Sequence, residues 1–397
     1  MRLRYLELSD YRNFQRLELE LPSGLALFVG QNAAGKSNLL EAVYLLATMR
    51  GLRAATDVQL IRHGALSDPL PAARVVGEGD TQNGPLKVEV TVVARPGAHG
   101  PIATKKARIN GGPKRLSSAV GQFTAVLFSA DDLEMIGGAP SLRRRYLDIM
   151  LAQVDTLYAA ARQRLERVLL QRNHLLKRIR EGQAHPEELV FWDSELSRDG
   201  GLIFQRRARA LTEMARLASE CHASLAAAEQ LSVSYAPRIE AEAAGLERAS
   251  ETEAADAYAD ALRCSLNRDI AAGMTLTGPH RDDVMLGLNG LAAAAYASRA
   301  QQRTTALSLR LAEARFLTAH RGEPPLLLLD DVLSEMDGGR RHSVLNALTG
   351  AEQMLVTGTD WDRFPPDFAS RGAQFSVESG AIGPRSDIAN GARISAS

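Results

Sequence analysis

Apolar and polar residues alternate along Leu3-Arg4-Tyr5-Leu6-Glu7-Leu8 and again along Leu17-Glu18-Leu19-Glu20-Leu21. Period two predicts half-buried strands, with Asp10 to Phe14 at the turn between them. Leu25-Ala26-Leu27-Phe28-Val29 is continuously apolar and predicts a buried strand, whereas Asn38 to Leu46 carries its apolar residues at helical spacing. Alternation returns in Arg74 to Gly77, Leu86 to Val93 and Lys105 to Pro113, an antiparallel set with Asn110-Gly111 as a hairpin turn. Phe123 to Phe128 predicts another buried strand.

From Ser141 to about Ala272 the pattern turns helical. Leu157 to Ile179 sets Leu165, Val168, Leu169, Leu175, Leu176 and Ile179 on one face. Its other face carries Arg162, Arg164, Arg167, Arg172, Lys177 and Arg178. A break at Gly182 to Pro186 precedes a second helix from Leu189 to Leu217. Leu231 to Tyr235 reads as a strand, and Glu240 to Arg268 is rich in Ala and Glu. The runs are too short for a long coiled coil. Leu326 to Leu329, ending in Asp330 and Asp331, and Met354 to Asp360 restore the buried-strand pattern. The expected organisation is an α/β nucleotide-binding domain in two pieces, 1–135 and 273–378, a helical arm over 136–272, and a disordered tail over 379–397.

Composition changes this picture little. The chain has 397 residues, 45% of them apolar, and a formal net charge of zero. Any contact with nucleic acid must therefore come from local patches. No stretch is long and apolar enough to span a bilayer. Two cysteines, Cys221 and Cys264, in helical sequence read as buried thiols, and a cytoplasmic location is expected.

The chemistry is concentrated in Gly30-Gln31-Asn32-Ala33-Ala34-Gly35-Lys36-Ser37, a G-x-x-x-x-G-K-[ST] loop between a strand and a helix N-terminus. Its backbone N–H groups and the helix dipole suit phosphate. Lys36 is placed to reach the β- and γ-phosphates, and the Ser37 hydroxyl to ligate Mg²⁺. Asp330 ends a buried strand, where open α/β sheets place ligand sites, and suits a Mg²⁺-holding acid. Asp331 is then the residue that orients or polarises an attacking water. Ser334-Glu335-Met336-Asp337 follows, in position to approach a partner's site. Tyr296 to Glu313 opens a helix at Ser298. An ordinary N-cap and a second anion-binding terminus explain Ser298 equally well.

The order of phosphate loop, Ser-x-x-Gln-Gln-Arg from Ser298, Leu-Leu-Leu-Leu-Asp-Asp to Asp331, and Ser-Glu-x-Asp resembles an ABC-type ATPase head. Asp131 to Asp148, with Arg143-Arg144-Arg145, and Thr277-Gly278-Pro279-His280-Arg281-Asp282-Asp283 are similar to stretches of the RecF family in particular. The resemblance runs from Leu3 to about Phe375. It implies an ABC/SMC-like head with an inserted arm, and a two-fold dimer that buries ATP between the phosphate loop of one copy and Ser298, with Gln301, of the other. It further implies slow, switch-like ATP hydrolysis and binding to double-stranded and gapped DNA. Partnership with RecR, RecO and RecA in recombinational repair and the SOS response is implied as well. Candidate phosphate contacts are Lys105, Lys106 and Arg108 on the sheet and Arg162, Arg164, Lys177 and Arg178 on the arm. The chain departs from the family at Ala300, where Gly is usual, and at Ala130, where Pro is usual. It also lacks a clear Q-loop glutamine and the transporter-type switch histidine near Thr357 to Asp360. A transporter ATPase, a chromosome scaffold of the SMC type, a Toprim nuclease and a small-molecule kinase are the competing readings. The helical insertion, the absent coiled coils, the short tail and the Ser298 helix respectively disfavour them.

Overall fold

The computed structural model describes residues 1–97, 100–239, 243–332 and 350–385. In chain order the first piece holds β1 (Arg2–Tyr11), β2 (Phe14–Glu20), β3 (Gly24–Val29), α1 (Lys36–Thr48), β4 (Ala72–Thr81), β5 (Gly84–Arg95), β6 (Ile102–Ile109), β7 (Gly112–Lys114), α2 (Leu116–Ala119) and β8 (Ala125–Ser129). Then come α3 (Asp132–Gly137), α4 (Pro140–Val154), α5 (Thr156–Arg180), α6 (Val190–Leu225), β9 (Leu231–Ala236), α7 (Ala243–Arg248), α8 (Glu251–Ala272), β10 (Asp283–Leu288), β11 (Leu291–Ala292), α9 (Ala293–Tyr296) and α10 (Arg299–Arg321). β12 (Leu326–Asp330), β13 (Gln353–Gly358), α11 (Pro366–Ala369), β14 (Ala373–Glu378) and β15 (Ala381–Pro384) follow among the described residues. Two compact units result: Met1–Ala130 with Glu313–Ser397, and Asp131–Ala312. The second unit therefore extends past residue 272 and takes in Ser298 and Gln301.

The first unit contains two six-stranded sheets. One is antiparallel, in the order β2-β1-β4-β5-β6-β7. Asn110 and Gly111, both at positive φ (49° and 79°), close the tight β6–β7 hairpin. The other sheet runs β15-β14-β3-β13-β12-β8, parallel except for β15. Continuous apolar runs suit strands covered on both faces, and β12 and β13 are buried throughout. α1 is buried around almost its whole circumference and packs on strands of both sheets. That burial explains why its sequence lacks a polar stripe. Gln353 staples the sheets together: its amide exchanges bonds with the Leu3 N–H (2.7 Å) and C=O (2.8 Å) and donates to the Pro22 carbonyl.

The tail expectation needs correction. Ala381–Pro384 pairs antiparallel with β14, so order continues past residue 379. Residues 386–397, like Ser334 to Asp337, lie outside the described residues.

In the second unit α4, α5, α6 and α8 enclose an interior where buried ion pairs sit among apolar side chains such as Leu165, Leu196 and Phe204, beside a three-stranded sheet ordered β11-β10-β9. Arg207, 1% exposed, donates to Asp148 (2.6 Å), Asp282 (3.0 Å) and the Pro279 carbonyl. Arg172, fully buried, bonds Asp193, Asp269 and Thr275. Burial would raise the Asp148 carboxyl, but Arg207 and Arg162 outweigh it and hold its pKa at about 2. Cys221 is buried as expected, whereas Cys264 is exposed.

Candidate nucleotide site

The phosphate loop leaves β3 at Gly30 and enters α1 at Lys36, as the strand-then-helix pattern requires. Ala33 (φ 66°) and Gly35 (φ 118°) adopt left-handed backbone, the alternation that curls peptide N–H groups into an anion nest. Gly35 is required twice over. Its φ suits glycine, and a Cβ there would meet Asn13 Nδ2 at 2.5 Å. Gly30 is required for another reason: a Cβ would lie 2.0 Å from the Val377 carbonyl oxygen of β14.

Lys36 is 7% exposed, and its ammonium donates to the carbonyls of Gly30 (2.7 Å) and Gln31 (2.8 Å). Burial lowers its pKa, opposed by Asp331 and Asp330. Ser37 Oγ donates to Asp330 Oδ1 at 2.8 Å, joining the loop to the end of β12 across 293 residues of sequence. Thr357 Oγ1 lies 3.0 Å from the same Oδ1 and accepts the Asp331 N–H at 3.0 Å. Asp331 turns off the strand at φ 55°. A hydroxyl and a carboxylate at hydrogen-bond distance are hard oxygen donors of the type Mg²⁺ takes, in the small number that leaves room for phosphate and water. Among the described residues no group of three or more His, Cys, Asp or Glu could form a closed metal cage.

Sequence reasoning missed several supports. Asn13 Nδ2 donates to the Ala34 carbonyl (3.0 Å) and Asn38 to Asn13 Oδ1 (2.8 Å). The Gly380 N–H, in the β14–β15 turn, bonds the same Ala34 carbonyl at 2.9 Å. Glu41, buried on α1, accepts Arg12 through two nitrogens and the N–H groups of Leu52 and Arg53. Burial alone would raise the Glu41 pKa, yet those donors lower it. The loop so anchored brings Arg53 Nη2 to 3.3 Å from Asp330 Oδ2. A cavity of about 700 Å³ opens beside the loop, lined by Gly30 to Ala34, Thr359, Asp360, Trp361 and Ser376 to Ser379. Gln31, Asn32 and Ala33 are exposed on its rim.

Ser298 is exposed and caps α10 reciprocally with Gln301: the Ser298 N–H donates to Gln301 Oε1 (2.9 Å), and the Gln301 N–H to Ser298 Oγ (3.3 Å). Gln301 Nε2 also reaches Glu229 at 3.0 Å.

The basic candidates divide. Lys106 and Arg108 share the exposed face of β6, and Lys177 and Arg178 are exposed near the end of α5. Lys105, on the opposite face of β6, is held by Asp57 and the Met49 carbonyl. Arg162 is paired with Asp148 and Glu166, and Arg164 with Asp199.

Residues 2–364 match the RecF/RecN/SMC N-terminal domain family. The chain is 38% identical to the DNA replication and repair protein RecF of Chloroflexus aurantiacus, over 96% of this chain and 99% of that protein. It is 37% identical to the protein of the same name from Roseiflexus castenholzii, over 97% and 100%. A solved structure of the recombination mediator protein RecF with ATP, in the RecFOR pathway, superposes with a TM-score of 0.84 at 30% identity, covering 96% of this chain and 97% of that one. Among the described residues no helix is long and apolar enough to cross a membrane.

Proposed function

We propose, from the premise that this chain belongs to the RecF family of DNA replication and repair proteins, that it is an ATP-binding recombination mediator whose nucleotide is held at Gly30–Ser37. The observation that carries the reading is the Ser37–Asp330 bond, which sets phosphate loop and strand-end acid side by side. The ATP-bound relative supports it at the level of the whole fold.

Lys36 takes the β- and γ-phosphates, exchanging its loop carbonyls for anionic oxygens. Ser37 and Asp330 hold Mg²⁺, which when bound neutralises phosphate charge. Asp331 orients the attacking water, with Thr357 fixing its backbone. Two copies pair with ATP between them, Ser298 and Gln301 of each closing over the nucleotide of the other. ATP is then a ligand of the dimer, and its hydrolysis releases the pair. Hydrolysis is slow, as suits a timer. The dimer grips double-stranded and gapped DNA in the cytoplasm and acts with RecR, RecO and RecA. Of the basic candidates, Lys106, Arg108, Lys177 and Arg178 are the stronger contacts, because Lys105, Arg162 and Arg164 already hold internal partners.

Analytical ultracentrifugation with ATP, with ADP and without nucleotide tests the dimer, and binding to gapped against fully duplex DNA across a salt series tests the grip, with Lys36→Arg as control. A protein as monomeric in ATP as in ADP, or DNA binding indifferent to nucleotide and salt, refutes the proposal.

A further inference from the structure

Many arginines of the second unit are paired with carboxylates. Arg143 faces Asp283, Arg162 faces Asp148, Arg164 faces Asp199, and Arg206 faces Asp155 and Glu251. Three other arginines line one hollow. Arg238 follows β9, Arg268 lies on α8, and Arg281 belongs to the Thr277–Asp283 stretch that the nucleotide chemistry leaves unused. Among the described residues no carboxylate pairs with any of the three. All three are exposed. Arg281 makes only 3.3 Å contacts to the Thr275 carbonyl and the Met274 sulfur. The one acid on the wall, Asp260, is already engaged by Arg263.

The hollow is built rather than incidental. Asp282, 1% exposed, ties its two rims together: it accepts the Arg238 N–H at 2.7 Å and the Arg207 guanidinium at 3.0 Å. The Arg238 carbonyl in turn accepts the Gly278 N–H at 3.1 Å. The Asp282 carboxylate is spent on the framework, while the neighbouring Arg281 turns outward. The volume is about 850 Å³, room for a nucleotide or two of a flexible strand. No aromatic side chain is among the lining residues, so nothing there stacks on a base.

We propose that this hollow binds backbone phosphates of a single nucleic-acid strand, without sequence preference, through Arg238, Arg268 and Arg281. The inference rests on the reading that the chain binds nucleic acid, and adds a site outside the basic residues expected from the sequence. Release of about 0.7 counterions per single-strand phosphate sets the expected salt dependence, so three contacts steepen the log–log salt slope by about 2.

Cys264 supplies the assay, since it lines the hollow and is exposed while Cys221 is buried. The full-length protein without ATP is alkylated with a maleimide in the presence of oligo(dT), pyrophosphate or neither. Protection of Cys264 by oligo(dT) at concentrations where pyrophosphate does nothing supports the site. Equal protection by both overturns the strand reading, and protection by neither overturns the site. The triple variant Arg238→Gln, Arg268→Gln, Arg281→Gln should lose protection and flatten the oligo(dT) salt slope by about 2. Lysine at the same three positions should restore most of the slope, and an unchanged slope in the glutamine variant refutes the assignment. ATP-dependent binding to gapped DNA, assayed in parallel, separates the two claims. Its survival without Cys264 protection sinks only this inference; its loss in wild type with protection intact sinks only the dimeric clamp.

Discussion

Gly30→Ala isolates what the first glycine of the loop does. Gly30 does not sit at positive φ, so backbone strain is not the issue. The obstacle is the Val377 carbonyl of β14, 2.0 Å from the new methyl carbon and belonging to a fully buried residue. An ordinary carbon–oxygen contact is over 1 Å longer, so β14 must retreat. β14 is held there by pairing of Ser376 with Val29 and by the Phe375 ring stacked on Phe28 at 5.0 Å. Overpacking costs about 1–3 kcal/mol, and because rigid backbone blocks the way the upper half, about 2–3 kcal/mol, is expected. At 2–4 °C per kcal/mol that is a fall of roughly 4–12 °C in melting temperature. Trp361 lies in the cavity beside the loop, so its fluorescence in a Trp192→Phe background reports the first unit alone during urea unfolding. Affinity for a fluorescent ATP analogue should fall with it, because the Gly30 carbonyl that positions Lys36 moves with the strand. Stability within about 0.5 kcal/mol of wild type, with nucleotide affinity unchanged, would show that the loop tolerates the methyl and that the packing argument is wrong.

Asp148→Ala removes one of the two carboxylates that neutralise the buried Arg207, leaving Asp282, and should cost about 3 kcal/mol in urea unfolding, the low end for a broken buried pair, while the double variant with Arg207→Met recovers part of the loss. Burial, opposed by the Thr275 carbonyl and reinforced by Arg281, Arg144 and Arg207, brings the His280 pKa to about 4. The unfolded chain binds that proton near pH 6.5, so stability is complete above 6.5 and declines as pH falls towards 4, by up to about 3 kcal/mol. His280→Gln should flatten that limb of the stability–pH curve. Thr357→Val removes the hydroxyl between Asp330 and Asp331; ATP hydrolysis should fall while ATP affinity stays within about threefold, with about 1–3 kcal/mol lost from the unsatisfied Asp331 N–H. Truncation after Glu378 deletes the Gly380 bond to Ala34 and should weaken ATP binding without loss of helix content by circular dichroism.

The parts legible in the sequence are those fixed by local spacing. Gly30 to Ser37 lies between an apolar run and a helical one, and both runs fold as that pattern directs. Asp330 ends β12 because a carboxylate is tolerated only where the buried strand meets the site. What spacing cannot convey is pairing at long range. The arginines of α5 read as a solvated basic face, but Arg164 and Arg172 find Asp199 and Asp269 at distant positions of the chain. Counting charge along one helix therefore overstated what is free to meet DNA. The tail was misjudged for a related reason: Ala381–Pro384 is short and weakly patterned, and only the neighbouring β14 makes it a strand. Gln353 and Asn13 gave no signal at all, since a polar residue that staples two sheets looks like any other until both are in place.

The placing of β3 between β13 and β14 has a consequence for biosynthesis. Val29 leaves the ribosome some 324 residues ahead of Gln353 (353 − 29). At 5–20 residues per second that interval is roughly 15–65 s, during which the emerging β3 lacks both its flanking neighbours. The arm, contiguous from Asp131 to Ala312, can mature meanwhile. A nascent chain that has not yet added β13 and β14 therefore carries its phosphate loop on a strand with no partner on either side.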